Sequence, residues 1–332
     1  MISRVAILDV LGGDAKRNLD AKTDVISGRV GGFRSKITSE STSYGMAYYP
    51  WVDTNLLDAS TIGLGDVGPN LRKHLSQLIA DEIDTDAKPG SLAEARNKDI
   101  QALAQAIDEG DPVKSKESHQ VAMMLSSHYK EMIGQVLAMF NRMPPSAGMA
   151  GIFARIDQSE GVFKAPANTR MNSVVRPAVD ISALEQEDLN VPLDGKAINA
   201  IRTFAGRGVL VWGARTLDGN SQDWRYINVR RTMIMLEQSI KYAAQAYVFE
   251  PNVASTWQTV KAMIENFLNK QWKAGALAGA TPEDAYDVGV GLGSTMTEQD
   301  ILNGYMNVTV KVAIARPAEF IVLTFQQKMQ AS

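Results

Sequence analysis

The closing stretch of this 332-residue chain constrains its fold most. Val308, Val310, Val312 and Ile314 alternate there with Asn307, Thr309, Lys311 and Ala313. Successive side chains on a strand point to opposite faces, so the alternation predicts a half-buried strand. Arg316 and Pro317 break it, and Phe320, Ile321, Val322, Leu323, Thr324 and Phe325 follow with apolar character on both faces. A strand of that kind has to be covered on both sides. It is either the last central strand of the chain's own sheet or a strand donated to a neighbour's sheet. The residues alone favour the first.

Upstream, the pattern is mixed α/β. Residues 5–10 (VAILDV) form a short apolar run ended by Leu11, Gly12, Gly13 and Asp14, a buried strand and a turn. Residues 14–42 are polar and contain glycine, which predicts a loop with little regular structure. Residues 44–52 (YGMAYYPWV) are aromatic-rich, and Pro50 keeps them from being a helix interior or a central strand throughout. From Asp66 to Met143 the period changes. Leu71, Leu75, Leu78 and Ile79 recur at helical spacing, as do Ile100, Leu103, Ala104 and Ile107. Met123, Met124, His128, Met132, Val136 and Met139 do the same on a third segment. Glycine and proline fall between the segments, so two or three amphipathic helices are expected, with the methionine stripe as packing core. Further on, residues 209–212 (VLVW) read as a strand after the turn at Gly206, Arg207 and Gly208. Residues 229–247 read as a helix with Met233, Leu236, Ile240, Ala243 and Tyr247 on one face. Residues 255–274 place Trp257, Val260, Ile264, Phe267 and Leu268 on a second apolar stripe, stopped by Gly275. Thr281, Pro282, Glu283 and Asp284 have the hydroxyl, proline and acids of a helix start.

Chemistry-bearing patterns are scarce. The absence of cysteine removes disulfides, thiolate metal sites and cysteine nucleophiles, and agrees with a reducing compartment. The three histidines, His74, His119 and His128, have no HExxH spacing and read as solvated helix residues. Residues 289–293 (GVGLG) lack the GxxxxGK[ST] pattern and read as a flexible loop. No GxSxG elbow occurs, and no spacing singles out a pair of carboxylates. Arg225, Arg230 and Arg231 with Trp224 and Tyr226 look like a basic–aromatic nucleic-acid patch. The helical periodicity beside them assigns the arginines instead to salt bridges or carboxylate binding. A net charge of −3 argues against a protein built on attraction to phosphates. The first residues show no signal-peptide pattern and no run is long enough for a transmembrane helix, so the sequence reads as soluble. No catalytic residue, cofactor or metal ligand is expected.

One ordered series of short motifs remains. Residues 143–168 (MPPSAGMAGIFARIDQSEGVFKAPAN), 206–217 (GRGVLVWGARTL), 224–231 (WRYINVRR), 248–252 (VFEPN), 275–286 (GALAGATPEDAY) and 316–327 (RPAEFIVLTFQQ) follow residues 4–10 (RVAILDV) and 48–52 (YYPWV). The series resembles the conserved C-terminal region of contractile tail sheath proteins, which occur in phage tails and phage-like contractile injection systems.

That resemblance implies a mixed α/β sheath-type domain: a central sheet flanked by helices, a helical insertion and an extended C-terminal strand arm. The expected layout is a discontinuous conserved domain over residues 1–57 and 143–315, a helix-rich insertion over 58–142 and an arm over 316–332. The implied function is structural, without enzyme activity. Copies of the chain would polymerise into stacked hexameric rings around an inner tube and contract to drive that tube through a target envelope. Implied partners are the chain itself, the inner tube protein, and baseplate and terminator proteins, with no nucleic acid and no direct membrane insertion. Assembly in the bacterial host cytoplasm, as part of a phage tail or phage-like particle, goes with this. Glu319, Phe320, Ile321, Val322, Leu323, Thr324 and Phe325 become an inter-subunit arm added to an adjacent subunit's sheet. Arg155, Asp157, Arg215, Arg231 and Glu250 become candidate ion pairs within or between subunits, and Lys261, Lys270 and Lys273 a candidate inner-tube contact.

Two departures from the family pattern stand out. Members usually carry an N-terminal arm and a further domain ahead of the aspartate-containing strand, where this sequence opens, so those parts are expected outside it or on a separate polypeptide. Members also join YYPW to PPS by a much shorter loop than residues 58–142. The rival reading is a baseplate or adaptor module that uses the acidic helical insertion for recognition.

Overall fold

The computed structural model describes residues 4–18, 22–62, 68–109 and 112–323, with the backbone alone for 112–118. The chain divides into two compact units. One comprises Met1–Trp51, Pro144–Asn172 and Val179–Ser332, and the other Val52–Met143 and Ser173–Ala178.

The first unit is built on a five-stranded mixed sheet of order β1-β2-β7-β8-β5. β1 (Ala6–Asp9) runs parallel to β2 (Gly45–Tyr49), and β2 parallel to β7 (Asn199–Phe204). β7 turns back antiparallel into β8 (Gly208–Trp212), and the short β5 (Thr169–Arg170) lies along β8. The β7–β8 turn is tight because Gly206 and Gly208 both adopt positive φ, which costs glycine little. Every residue of β2 is buried. Ala47 and Tyr49 join Val10, Phe33, Leu189 and Ile198 in one cluster, and strand alternation sends Met46 and Tyr48 to the opposite face. β2 is thus a central strand that ends just before Pro50, which has no N–H for the ladder.

Helix α6 (Ser146–Ser159) has no side-chain cap from its own flank. Asp9 at the end of β1 supplies one from a distance, accepting from the Ser146 backbone N–H at 2.9 Å and from its hydroxyl at 2.5 Å. A carboxylate there satisfies an orphan donor and sits favourably at the positive end of the helix dipole. Among its described residues, the polar segment 14–42 has little regular structure beyond α1 (Phe33–Lys36), but it is fastened by buried charge. Arg17 pairs with Asp24 and with Asp188 of α7 (Ala183–Asn190), both at 2.7 Å.

A second core of this unit packs α8 (Ile227–Ala244) and α9 (Ala254–Lys273) with the hairpin of β9 (Tyr286–Val290) and β10 (Val308–Val312). Leu236, Val260, Ile264, Leu268 and Val288 are its buried centre, and Val308, Val310 and Val312 press on it from one face of β10. Thr309 and Lys311 face outward, as the alternation requires. Short helices α10 (Pro282–Ala285) and α11 (Glu298–Leu302) flank the hairpin. The GVGLG run is not a loop throughout: Gly289 and Val290 belong to β9, and the turn begins at Gly291. The β10 ladder recruits them by pairing Val290 with Val308 and Gly289 with Thr309.

The second unit holds a three-stranded sheet and a helical cluster. β3 (Val52–Thr54) lies between β4 (Arg142–Met143) and β6 (Val174–Pro177), antiparallel to both. Among the described residues four helices follow β3, not two or three: α2 (Pro69–Ala80), α3 (Leu92–Glu109), α4 (Pro112–Leu125) and α5 (Ser127–Asn141). The extra break has no glycine or proline. Ser126 makes it by capping α5, its hydroxyl accepting from the Tyr129 N–H at 3.1 Å, while Glu82 accepts from Ser126, Ser127 and the His128 backbone. The core is Leu75, Ile79, Ile100, Leu103, Ile107, Tyr129 and Ile133. The methionine stripe divides: Met123 and Met132 pack on this core, whereas Met124 and Met139 are exposed. His74 and His128 are solvated, but His119 is buried and meets the Tyr129 hydroxyl at 2.7 Å.

Asp53 locks the small sheet. It accepts from Arg142 of β4 at 2.8 Å and from Arg176 of β6 at 2.9 Å. The Arg142 hydrogen bond, against a smaller burial penalty, holds its carboxyl below the usual aspartate range. Such a group contributes its stability fully above the unfolded pKa and loses it as pH falls through the lowered folded value. Unfolding should therefore become easier below about pH 4 in the wild type. Asp53→Asn should remove that part of the pH dependence in thermal melts. Superimposable pH profiles for the two proteins would count against the lock.

Candidate assembly surfaces

The terminal segment leaves the β10 hairpin under tight control and then loses all cover. Ile314 bridges to Leu277, and the Ala315 carbonyl accepts from the Asn228 side chain at 3.0 Å. Four residues later, Glu319 enters a polar clamp. Arg215, only 4% exposed, donates to both of its oxygens at distances down to 2.7 Å. The Asn190 amide donates at 2.8 Å and the Tyr226 hydroxyl at 3.3 Å. The remaining reach of Arg215 goes to the carbonyls of Asn190 and Gly219. A bidentate arginine–carboxylate pair with its other donors also satisfied is the geometry that makes a buried ion pair hold.

Directly after the clamp, Phe320, Ile321, Val322 and Leu323 are 68, 79, 87 and 71% exposed. None of the four lies in a strand. The expectation that this run is a central strand of the chain's own sheet is overturned for these residues. Among the described residues no strand of the chain pairs with them, and their side chains stand mostly uncovered. Thr324 and Phe325 lie outside the described residues.

The other singled-out residues part company. Arg231 and Asp157 meet, with Nη1 donating at 2.9 Å, and the guanidinium also lies over Phe153. Arg155 bonds to Thr169 and to the Arg170 carbonyl, and to no carboxylate among the described residues. Glu250 is exposed and forms no ion pair among the described residues. On α9, Lys261 sits 3.7 Å from Glu265 one turn along, and Lys270 and Lys273 are exposed in the last turn.

Arg230 turns inward, sandwiched between Trp224 at 3.5 Å and Tyr44 at 4.3 Å, so the basic–aromatic cluster serves packing. Sequence reasoning missed this stack, the Glu319 partner of Arg215 and the Asp9 cap. Their signals were single residues far apart in the chain. Among the described residues no group of three His, Asp or Glu is placed to hold a metal, and no helix is long and apolar enough to cross a membrane.

Residues 90–217 match the phage tail sheath protein central domain, and residues 220–328 match the phage tail sheath C-terminal domain. This chain belongs to the contractile tail sheath family. It is similar to the tail sheath protein of Salmonella phage ViI, 30% identical over 138 residues that make up 41% of this chain and 21% of that protein. The tail sheath protein of Vibrio phage KVP40 is 28% identical over 190 residues, 56% of this chain and 26% of that protein. Among solved structures, a chain of the six-fold symmetrised anti-feeding prophage baseplate is 47% identical, with a TM-score of 0.53. The match covers 57% of this chain and 51% of that one. A chain of an extracellular contractile injection system's sheath complex, in the contracted state, is 46% identical with a TM-score of 0.54, covering 56% and 52%. The chain thus spans only part of these sheath relatives, between 21 and 29% of the phage proteins and about half of the injection-system chains. The sheath matches take in both the Arg215 side of the clamp and the segment that Glu319 begins.

Proposed function

We propose that this chain is a structural subunit of a contractile sheath. Copies of it polymerise into a helical tube of stacked hexameric rings around an inner tube, and the lattice contracts to drive that tube through a target envelope. One observation carries the reading: an uncovered apolar run, Phe320–Leu323, held at its root by the buried Arg215–Glu319 clamp. An exposed run of this kind beside a fixed anchor suits strand addition to a neighbouring subunit, where backbone hydrogen bonds hold while rigid bodies move. The two-stranded β9–β10 sheet offers edges for such a strand. Similarity to sheath chains in contracted assemblies supports the same reading. Inner tube, baseplate and terminator proteins are the partners this role requires, in a phage tail or phage-like injection particle assembled in the bacterial cytoplasm. The role calls for no catalytic centre and no cofactor.

Electron microscopy of the purified protein with its inner-tube partner tests the proposal. Long striated tubes are expected. Discrete monomers or rings with no tube association favour the second reading, a baseplate module, for which the likeness to the anti-feeding prophage baseplate chain speaks.

Lys261, Lys270 and Lys273 on α9 are the proposed inner-tube contact. Their joint replacement by glutamate should weaken tube association at least tenfold at low salt and leave thermal stability almost unchanged, because exposed charges add little to folding. Unchanged tube association in co-sedimentation would remove α9 from the contact.

A further inference from the structure

The last turn of α7 is held from two sides. Among the described residues of this helix only Leu189 is buried, and eight residues make a helix too short to hold itself in water. Apolar packing therefore fixes that turn weakly, and polar partners fix it instead. The final carbonyls of a helix have no donor within it and need one from elsewhere. Here the Asp188 carbonyl accepts from Arg34 Nη2 at 2.8 Å, that of Leu189 from the Ile198 N–H at 2.8 Å, and that of Asn190 from Arg215 Nη1 at 3.2 Å. Two guanidinium groups at this end also meet the negative pole of the helix dipole.

These two arginines belong to different parts of the chain. Arg34 lies in α1, within the polar segment 14–42. The Asp188 side chain joins it to Arg17, at 3.3 Å and 2.7 Å, and both arginine side chains are almost completely buried. On the other side, Arg215 holds Glu319. Asn190 stands between the two sides: its carbonyl accepts from Arg215, and its amide donates to Glu319 at 2.8 Å. A second path closes the ring. Lys196 Nζ donates to the carbonyls of Arg34 and Ile37, and Arg34 Nε donates to the Lys196 carbonyl. The Gly219 N–H then donates to the Gly195 carbonyl, and the Gly219 carbonyl accepts from Arg215.

We propose that Asp188 is a positioning residue for the terminal segment. By tying the last turn of α7 to Arg17 and Arg34 it sets Asn190. Through Asn190 and Arg215 it fixes where Glu319 sits and how Phe320–Leu323 leave the subunit. Asp188 acts on Glu319 through the helix end, so the two residues are members of one network and their substitutions are coupled. A strand given to a neighbour has to be presented in one direction, and segment 14–42 is part of the device that presents it. The inference deepens the polymer reading above, on which the use of the terminal segment in assembly rests.

Chymotryptic cleavage beside Phe320 in the unassembled full chain reads the device directly, because Glu319 must leave its partners before the flanking residues can enter the protease. Asp188→Asn should raise the cleavage rate about threefold or more, the scale of coupling within one network. In a Glu319→Gln background, where cleavage is already raised, the same substitution should add little. Asp194→Asn is the control. Asp194 faces Arg34 at 3.7 Å and is as exposed as Asp188, 45% against 44%, but it lies beyond the helix. Its replacement should leave cleavage unchanged, whereas a general need for acids beside Arg34 would move both. Should Asp188→Asn fail to fold, Asp188→Glu carries the same test: with one methylene more it should raise cleavage in the wild-type background and add little to Glu319→Gln. Equal fold-changes with and without Glu319→Gln, no change at all, or an equal effect of Asp194→Asn each overturns the inference and leaves the sheath role standing. Coupling in the free chain, with no tubes from wild-type protein and its inner-tube partner, supports the positioning role and overturns the sheath role alone.

Discussion

Removal of residues 320–332 is expected to leave a folded subunit that no longer builds an extended sheath. The folding half follows from burial. Phe320 to Leu323 are mostly exposed, so deleting them removes little that the isolated chain keeps from water, and the melting temperature should move by no more than a few degrees. The assembly half follows from what such side chains gain when covered. Full burial of each large apolar side chain contributes roughly 1.5–3 kcal/mol. Even one lost from a subunit–subunit contact changes the association constant about tenfold or more. Losing four, with the backbone pairing that a strand adds, should abolish long tubes at concentrations where the wild type forms them. Negative-stain images and sedimentation of truncated and intact subunits would decide this. Normal polymerisation of the truncated form would end the donated-strand mechanism, though not the family assignment.

The second large effect concerns the clamp. Glu319→Ala would leave Arg215 almost fully buried with only the Asn190 and Gly219 carbonyls as acceptors. Breaking one side of a buried pair costs about 3–5 kcal/mol, because the remaining charge is uncompensated. Arg215→Met alone should cost a comparable amount by stranding Glu319. Combining Arg215→Met with Glu319→Gln should recover much of the loss, since no unpaired charge is left. The readouts are denaturant midpoints and the proteolytic sensitivity of the C-terminal segment. Single variants no less stable than wild type would show that the clamp holds nothing in place.

How much of this was legible beforehand depends on the range over which each signal acts. The alternating valines of β10 and the apolar run of β1 declare themselves within a few residues, because strand period is local. The stripes of α8 and α9 do the same at helical period. The fourth helix of the second unit was missed because Ser126 breaks it by capping, without the glycine or proline that usually marks a stop. His119 looked solvated because its partner is a hydroxyl on the next helix, Tyr129, which no spacing rule pairs with it. Arg215 and Glu319 were each noticed, but as members of different groups. They lie 104 positions apart, and only the fold brings them together. The terminal run was legible as something that must be covered. What covers it is a property of the assembly, and one chain's pattern cannot encode a neighbour's position.

The register of β3 and β4 has a practical consequence. Val52 stands directly opposite Met143, so the polypeptide departs for its four-helix excursion and returns at a single rung. Closing a long loop costs little more than closing a short one. The chain between Thr54 and Arg142 can therefore be regarded as a replaceable cassette: a compact guest sequence with neighbouring termini, or a short hairpin, fits the same pair of attachment points. For engineering, that rung is the natural splice site for displaying foreign cargo.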